Sequence, residues 1–152
     1  MIKARTLILM VALAGVISAT QAAEPTRAEM LVKFRKAAMD VLAGSFSPLG
    51  AMADGKLPYD AKRAQVLAQR TAVLAGIAGE VFPPESNTGG ETKAKPEIWS
   101  NRSEFDQRVT RLLDTTAALA SAAKPGTLEA LKPAVGDVGQ SCKACHDKFK
   151  AK

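Results

Sequence analysis

One amphipathic stretch near the end of the chain restricts the fold more than any other. Leu131, Val135, Val138, Cys142, Cys145 and Phe149 recur at intervals of 4, 3, 4, 3 and 4 residues, which sets them on one face of a helix. The two cysteines on that stripe are the only ones in the chain, and His146, which follows directly, is the only histidine. A helix that turns its thiols toward a core needs other helices to pack against.

Cys142-Lys143-Ala144-Cys145-His146 is the Cys-x-x-Cys-His attachment signature of c-type haem. Residues i and i+3 share one side of a helix, so both thiols can bond the two vinyl groups on one porphyrin edge. The next residue swings its imidazole toward the ring centre, where a neutral nitrogen binds iron. Other readings fit less well. A structural disulfide across a helical Cys-x-x-Cys is strained. A thioredoxin-like redox pair expects a βαβ context, which the pattern lacks. Zinc needs about four protein ligands, and no further Cys or His exists.

The start of the chain, MIKARTLILMVALAGVISATQAA, has a basic n-region with Lys3 and Arg5, an apolar run from Leu7 to Ile17, and small residues after it. That is the pattern of a secretory signal peptide over residues 1–23, with cleavage after Ala22 or Ala23. The apolar run is too short to span a bilayer comfortably. Residues 24–152 are then one exported, soluble domain, most simply in a bacterial periplasm, with no membrane association after cleavage. Removing Lys3 and Arg5 leaves 19 basic against 15 acidic residues, a net charge of +4. These charges are interspersed and aromatics are few, which argues against nucleic-acid binding. The mild positive balance suits solubility and steering toward acidic partners.

Alanine, leucine, lysine, glutamate and glutamine dominate the mature chain, and β-branched runs are scarce, so helices are expected. A first helix runs from Thr26 to about Ala53. Thr26 and Glu29 have capping-box spacing at its start, and Pro48 is expected to kink it near Ser47. Leu31, Phe34, Ala38 and Val41 follow one stripe; Val32, Arg35, Met39, Leu42 and Phe46 follow the next. A second helix runs from Asp60 to about Gly79. Then FPPESNTGGETKAKPEIW, residues 82–99, breaks regular structure with three prolines and a glycine pair. A third helix covers about Ser103 to Ala123 and a fourth about Thr127 to Lys148. Gly136 and Gly139 on the fourth leave room for a porphyrin or another backbone. The fold class is all-α: an antiparallel four-helix bundle with covalently attached haem, rather than three helices and a frayed end.

Only six residues follow His146, so a second axial ligand must come from upstream. The soft candidates are Met30, Met39 and Met52, all on the first helix. Met39 lies mid-helix, where a bundle would hold the ring, and Arg35 one turn earlier is placed to pair with a propionate. Methionine at helical spacing also serves as plain core packing, so ligation by Met39 and packing over an open iron face are both compatible with the sequence.

The segments GDVGQSCKACHDKFK, NTGGETKAKPEIW, GKLPYD and VKFRKAAM, together and in this arrangement, resemble class II c-type cytochromes of the cytochrome c′ family, along nearly the whole mature chain. The resemblance implies one haem c per chain, held by Cys142 and Cys145, with His146 as proximal iron ligand. It further implies Met39 in the distal position, Arg35 near a propionate, and a homodimer. Five-coordinate members carry a bulky apolar distal residue and low-spin relatives a ligating methionine. The Gly-containing connection looks more like the five-coordinate members. Many of those have an arginine where this chain has Lys150, and lysine keeps the charge without the planar fork.

Two functions are therefore carried forward. One is a haem module that binds nitric oxide or carbon monoxide, with Met39 as a steric gate. The other is a low-spin electron carrier with His146 and Met39 both on iron, served by redox partner proteins. Haem-dependent catalysis such as peroxidase activity has no support, since no distal histidine or acid–base pair is available. Lys143, Lys148, Lys150 and Lys152 read either as a solvated helix end or as a ring around a haem edge that steers an acidic redox partner. Trp99 is expected to pack against the bundle or the haem edge.

Overall fold

The structure, a computed structural model, describes residues 23–152. The signal peptide expected over residues 1–23 therefore lies, apart from Ala23, outside the described residues. Four long helices are present: α1 (Arg27–Ala53), α2 (Ala61–Ala75), α4 (Arg102–Ala122) and α5 (Leu128–Phe149). A short α3 (Glu97–Ser100) and a 3₁₀ turn (Pro84–Asn87) lie in the long connection. α1 packs on α2 and α5, and α4 packs on the same two helices. That closed ring is the expected antiparallel four-helix bundle. Among the described residues no helix is long and apolar enough to cross a membrane.

Local chemistry starts three of these helices. At α1 the Thr26 amide donates to Glu29 Oε2 at 2.7 Å, and the Glu29 amide donates to Thr26 Oγ1 at 3.3 Å. This reciprocal pair is the capping box, and its backbone bond is the main cause holding the exposed Glu29 carboxyl below its ordinary pKa. Asp60 accepts the Arg63 amide at the head of α2, and Thr127 accepts the Ala130 amide at the head of α5.

α1 runs to Ala53 as expected, with helix on both sides of Pro48. Leu49 and Met52, just beyond, are completely buried and hold the last turn on the core. Two other expectations need adjustment. α2 stops at Ala75, short of Gly79, because the amides of Gly76, Ile77 and Ala78 turn to carbonyls three residues back. Gly136 and Gly139 have no protein atom within 4 Å of where a Cβ would stand, so no other backbone approaches there.

The core falls into two clusters rather than one. The first joins Leu49, Met52, Leu67, Leu119, Leu131 and Val138, with Cys142 packed against it. The second joins Val81, Phe82, Ile98, Phe105 and Phe149, with Met39, Trp99, Val109 and Cys145 packed against it. Phe105 stands edge-on to both Phe82 and Phe149 within this second cluster.

The long connection is ordered chain. It straps the start of α1 to the end of α5. Gly89 has φ +98°, and a Cβ there would lie 2.4 Å from Ala28 Cβ and 2.9 Å from the Glu29 amide nitrogen. Only glycine fits both the backbone angle and that approach. At the other end, the Lys95 amide donates to Phe149 O at 2.9 Å and the Ala151 amide to Lys93 O at 2.7 Å. Ala94 and Lys150 thereby form an isolated antiparallel bridge.

Candidate haem site

α5 carries the motif as its stripe predicts. Cys142 and Cys145 are free, half-buried thiols one helical turn apart, and they face different halves of the core. The motif thus sits at the junction of the two clusters. Burial raises the pKa of both thiols; at Cys145 the neighbouring Cys142 adds to the rise and Arg108 opposes it. Both are therefore protonated at neutral pH, the form that adds as S–H across a vinyl group. His146 keeps an exposed edge on the same helix. Partial burial first, and the cation of Lys150 second, lower its pKa, against a smaller opposite pull from Asp147. A lowered pKa favours the neutral imidazole that a metal ligand requires.

α1 supplies the facing wall. Met39 packs in the second cluster together with Cys145. Met30 is 53% exposed, and Met52 is buried in the first cluster. Of the three methionines on α1, Met39 alone shares a cluster with a motif cysteine on the Phe149 side.

Arg35, one turn earlier, is 3% exposed. Its Nη1 donates to Ser86 Oγ at 2.9 Å and to Ser86 O at 3.2 Å, and its Nη2 donates to Thr92 Oγ1 at 3.0 Å. Its guanidinium lies 5.0 Å from the Phe82 ring centre and 5.5 Å from that of Trp99. No carboxylate of the described residues pairs with it. Desolvation lowers its pKa, yet an arginine remains charged. A buried cation met only by neutral acceptors and ring faces favours an anion beside it.

The residues present suit a covalent haem on several counts. Two thiols, one imidazole and a buried cation without an acidic partner match its vinyls, iron and propionates. Ser141 Oγ and Tyr59 Oη are also buried without a hydrogen-bond partner. The residues that the sequence did not single out are Ser86, Thr92 and Phe82, which with Trp99 enclose Arg35. Their signal was weak: a Pro- and Gly-rich segment reads as a break in structure. Trp99 Nε1 donates to Pro83 O at 3.1 Å, which fixes the ring inside the strap. Two open surface grooves among the described residues, one along α2 and α4 near Val66 and Val73 and one near Ser103 and Thr110, involve none of these residues.

Comparison with known proteins points the same way. The family model described as Cytochrome C' matches residues 30–150. A cytochrome c′ from Rubrivivax gelatinosus is 36% identical over 121 residues, covering 80% of this chain and 94% of its own. The crystal structure of cytochrome c′ from that organism matches with a TM-score of 0.79 at 33% identity, over 84% of this chain and all of the other. A nitric oxide complex of a cytochrome c prime mutant from Alcaligenes xylosoxidans matches with a TM-score of 0.76 at 36% identity, over 85% of this chain and 100% of that one. A cytochrome c-554 from Cereibacter sphaeroides is 33% identical over 128 residues, 82% of each chain.

Proposed function

Because the chain belongs to the cytochrome c′ family, we propose that it is a periplasmic haem protein whose iron is held by His146 and takes up a small gas, nitric oxide or carbon monoxide, on the face guarded by Met39. It is a haem-binding protein of the gas-binding and electron-transfer class, not an enzyme, and its haem c is covalent, one per chain. Cys142 and Cys145 form the thioethers in this reading, and Arg35 takes a propionate. The observation that carries it is that Met39 and Cys145 pack against the same core cluster. A nitric oxide complex is known for a mutant of the Alcaligenes xylosoxidans protein, which supports the same ligand class here.

The same observation favours a second reading. A methionine on that side of the motif would serve as the sixth ligand of a low-spin His/Met electron carrier. An optical spectrum of the purified holoprotein separates the two. A high-spin ferric spectrum, with a carbon monoxide shift after reduction, is expected. A thioether-to-iron charge-transfer band without any carbon monoxide response would replace the gas-binding reading by the electron carrier. Met39→Ala then changes spin state only if the sulfur is on iron.

A homodimer through α1 belongs to this proposal. Met30, Phe34, Ala37, Val41 and Gly44 are all exposed, Phe34 at 58%, and their 4, 3, 4, 3 spacing forms a coiled-coil-like seam. Sedimentation of the holoprotein is expected to give a dimer and Phe34→Glu a monomer. Export is tested by the N-terminus of the mature protein, expected at Ala23 or Glu24.

A further inference from the structure

We propose that the end of the bundle formed by α5 and the strap is a docking surface for an acidic one-electron redox protein. The proposal rests on the haem reading above and adds to it where partners bind and of what charge.

The positive charge of the mature chain is concentrated at this end. Residues 141–152 hold four lysines against Asp147, a net +3, whereas residues 24–140 hold 15 basic against 14 acidic residues. In sequence those four lysines read equally well as a solvated helix end. The fold adds Lys93 and Lys95 from the strap, because the Ala94–Lys150 bridge brings them against the α5 terminus, with the exposed Glu91 and Glu97 of the strap on either side of them. The six lysines then divide by partner. Lys143 pairs with Asp147 and Lys148 with Glu104, and Lys95 Nζ donates to Lys148 O. Lys93, Lys150 and Lys152 are exposed and, among the described residues, have no ion pair. Three uncommitted ammonium groups therefore stand on a backbone-bonded platform next to the Cys-x-x-Cys-His turn. His146 lies one helical turn before Lys150 on the same α5 terminus, so a protein docked here meets the iron-binding helix directly.

The pattern fits a protein better than a membrane or a nucleic acid. Asp147 and Glu104 interrupt the basic field, which a polyanion would need continuous. The aromatic side chains at this end, Phe149, Phe105 and Trp99, are buried or part of the strap and cannot stack on bases. A rim of separated lysines around an electron-transfer centre instead speeds encounter with a complementary acidic surface. In the transfer itself one electron would leave the partner, oxidising it by one, and reduce by one a ferric haem held by Cys142, Cys145 and His146. No bond or proton moves.

The test uses the holoprotein and a reduced plant-type two-iron ferredoxin as the acidic probe. Haem reduction is followed by stopped-flow absorbance as salt is raised from about 10 mM to about 0.3 M, which shortens the Debye length from about 30 Å to below 8 Å. The wild-type rate is expected to fall at least about tenfold across that range. Lys93→Glu/Lys150→Glu/Lys152→Glu should be about tenfold slower at low salt and nearly salt-independent. Lys36→Glu/Lys62→Glu/Lys132→Glu, with the same change in net charge on other faces, should behave like wild type. Amide shifts of the labelled holoprotein on adding oxidised ferredoxin should centre on residues 93–95 and 147–152, and vanish in the first variant. The corresponding Lys→Gln triple, with a wild-type visible spectrum, gives an intermediate rate and guards against misfolding. Equal slowing in both Glu triples, or slowing in neither, overturns the proposal. So does binding to phosphatidylglycerol vesicles at about 0.15 M salt with no ferredoxin footprint. The haem reading is judged separately, by haem staining of the denatured chain.

Discussion

The two walls of the candidate haem site are built on different principles. The α5 wall is local: one helix of 22 residues carries both thiols and the imidazole within five positions. The α1 wall is assembled from distant pieces. Arg35 reaches its partners Ser86 and Thr92 across 51 and 57 positions, and Gly89 sits on Ala28. The difference shows that chemistry which must be bonded to a cofactor can be packed into a motif. The surroundings of Arg35 depend instead on how a connection is laid over the bundle.

Cys145→Ser breaks the local wall and has the largest expected effect. One thioether is lost, and the chain of the variant should fail to retain wild-type haem staining on a denaturing gel. Retained haem with both cysteines replaced would refute every covalent reading. Gly89→Ala attacks the assembled wall. Strain at positive φ adds to a 2.4 Å clash with Ala28, so a loss on the order of 3 kcal/mol is expected in denaturant unfolding. Amide exchange should accelerate over residues 84–95 while the middle of α5 keeps its protection. Equal acceleration in both would mean that the two walls are not separate.

Arg35→Met sharpens the contrast further. It removes the buried cation and three hydrogen bonds at similar volume, with about 2 kcal/mol lost from the holoprotein. If Arg35 serves a propionate, the haem protein should lose more stability than the haem-free chain. Equal losses would leave Arg35 a strap anchor only.

Thr26→Ala tests the smallest term, the cap of α1, at about 1 kcal/mol. The folded pKa of Glu29 lies below its unfolded value. Its contribution is therefore complete above the unfolded value and fades as pH falls through the folded one. The stability gap between wild type and Thr26→Ala should narrow along that acidic limb. A gap independent of pH would exclude Glu29 from the cap.

These contrasts explain what the sequence disclosed. The helices were legible because Thr26, Asp60 and Thr127 cap them and because apolar residues recur on one face. Cys142, Cys145 and His146 were legible for the same reason, since helical spacing fixes their mutual direction. Arg35 and Met39 could be named, but their surroundings could not. Phe82, Ser86, Thr92 and Trp99 lie in a segment whose prolines and glycines signal only an end to helix. Which of the two adjoining α1 stripes is buried was likewise open: Val32, Arg35 and Leu42 go inward, while Phe34 and Val41 remain exposed. α3 went unforeseen because four residues are too few for periodicity to register.

The bonds from Lys95 to Phe149 and from Ala151 to Lys93 also have a kinetic meaning. Contacts close in sequence form quickly, whereas contacts more than fifty residues apart, as these are, wait on loop closure. The strap should accordingly be the last element to gain protection during refolding. The cysteine-bearing helix would then be formed while the wall opposite it is still open.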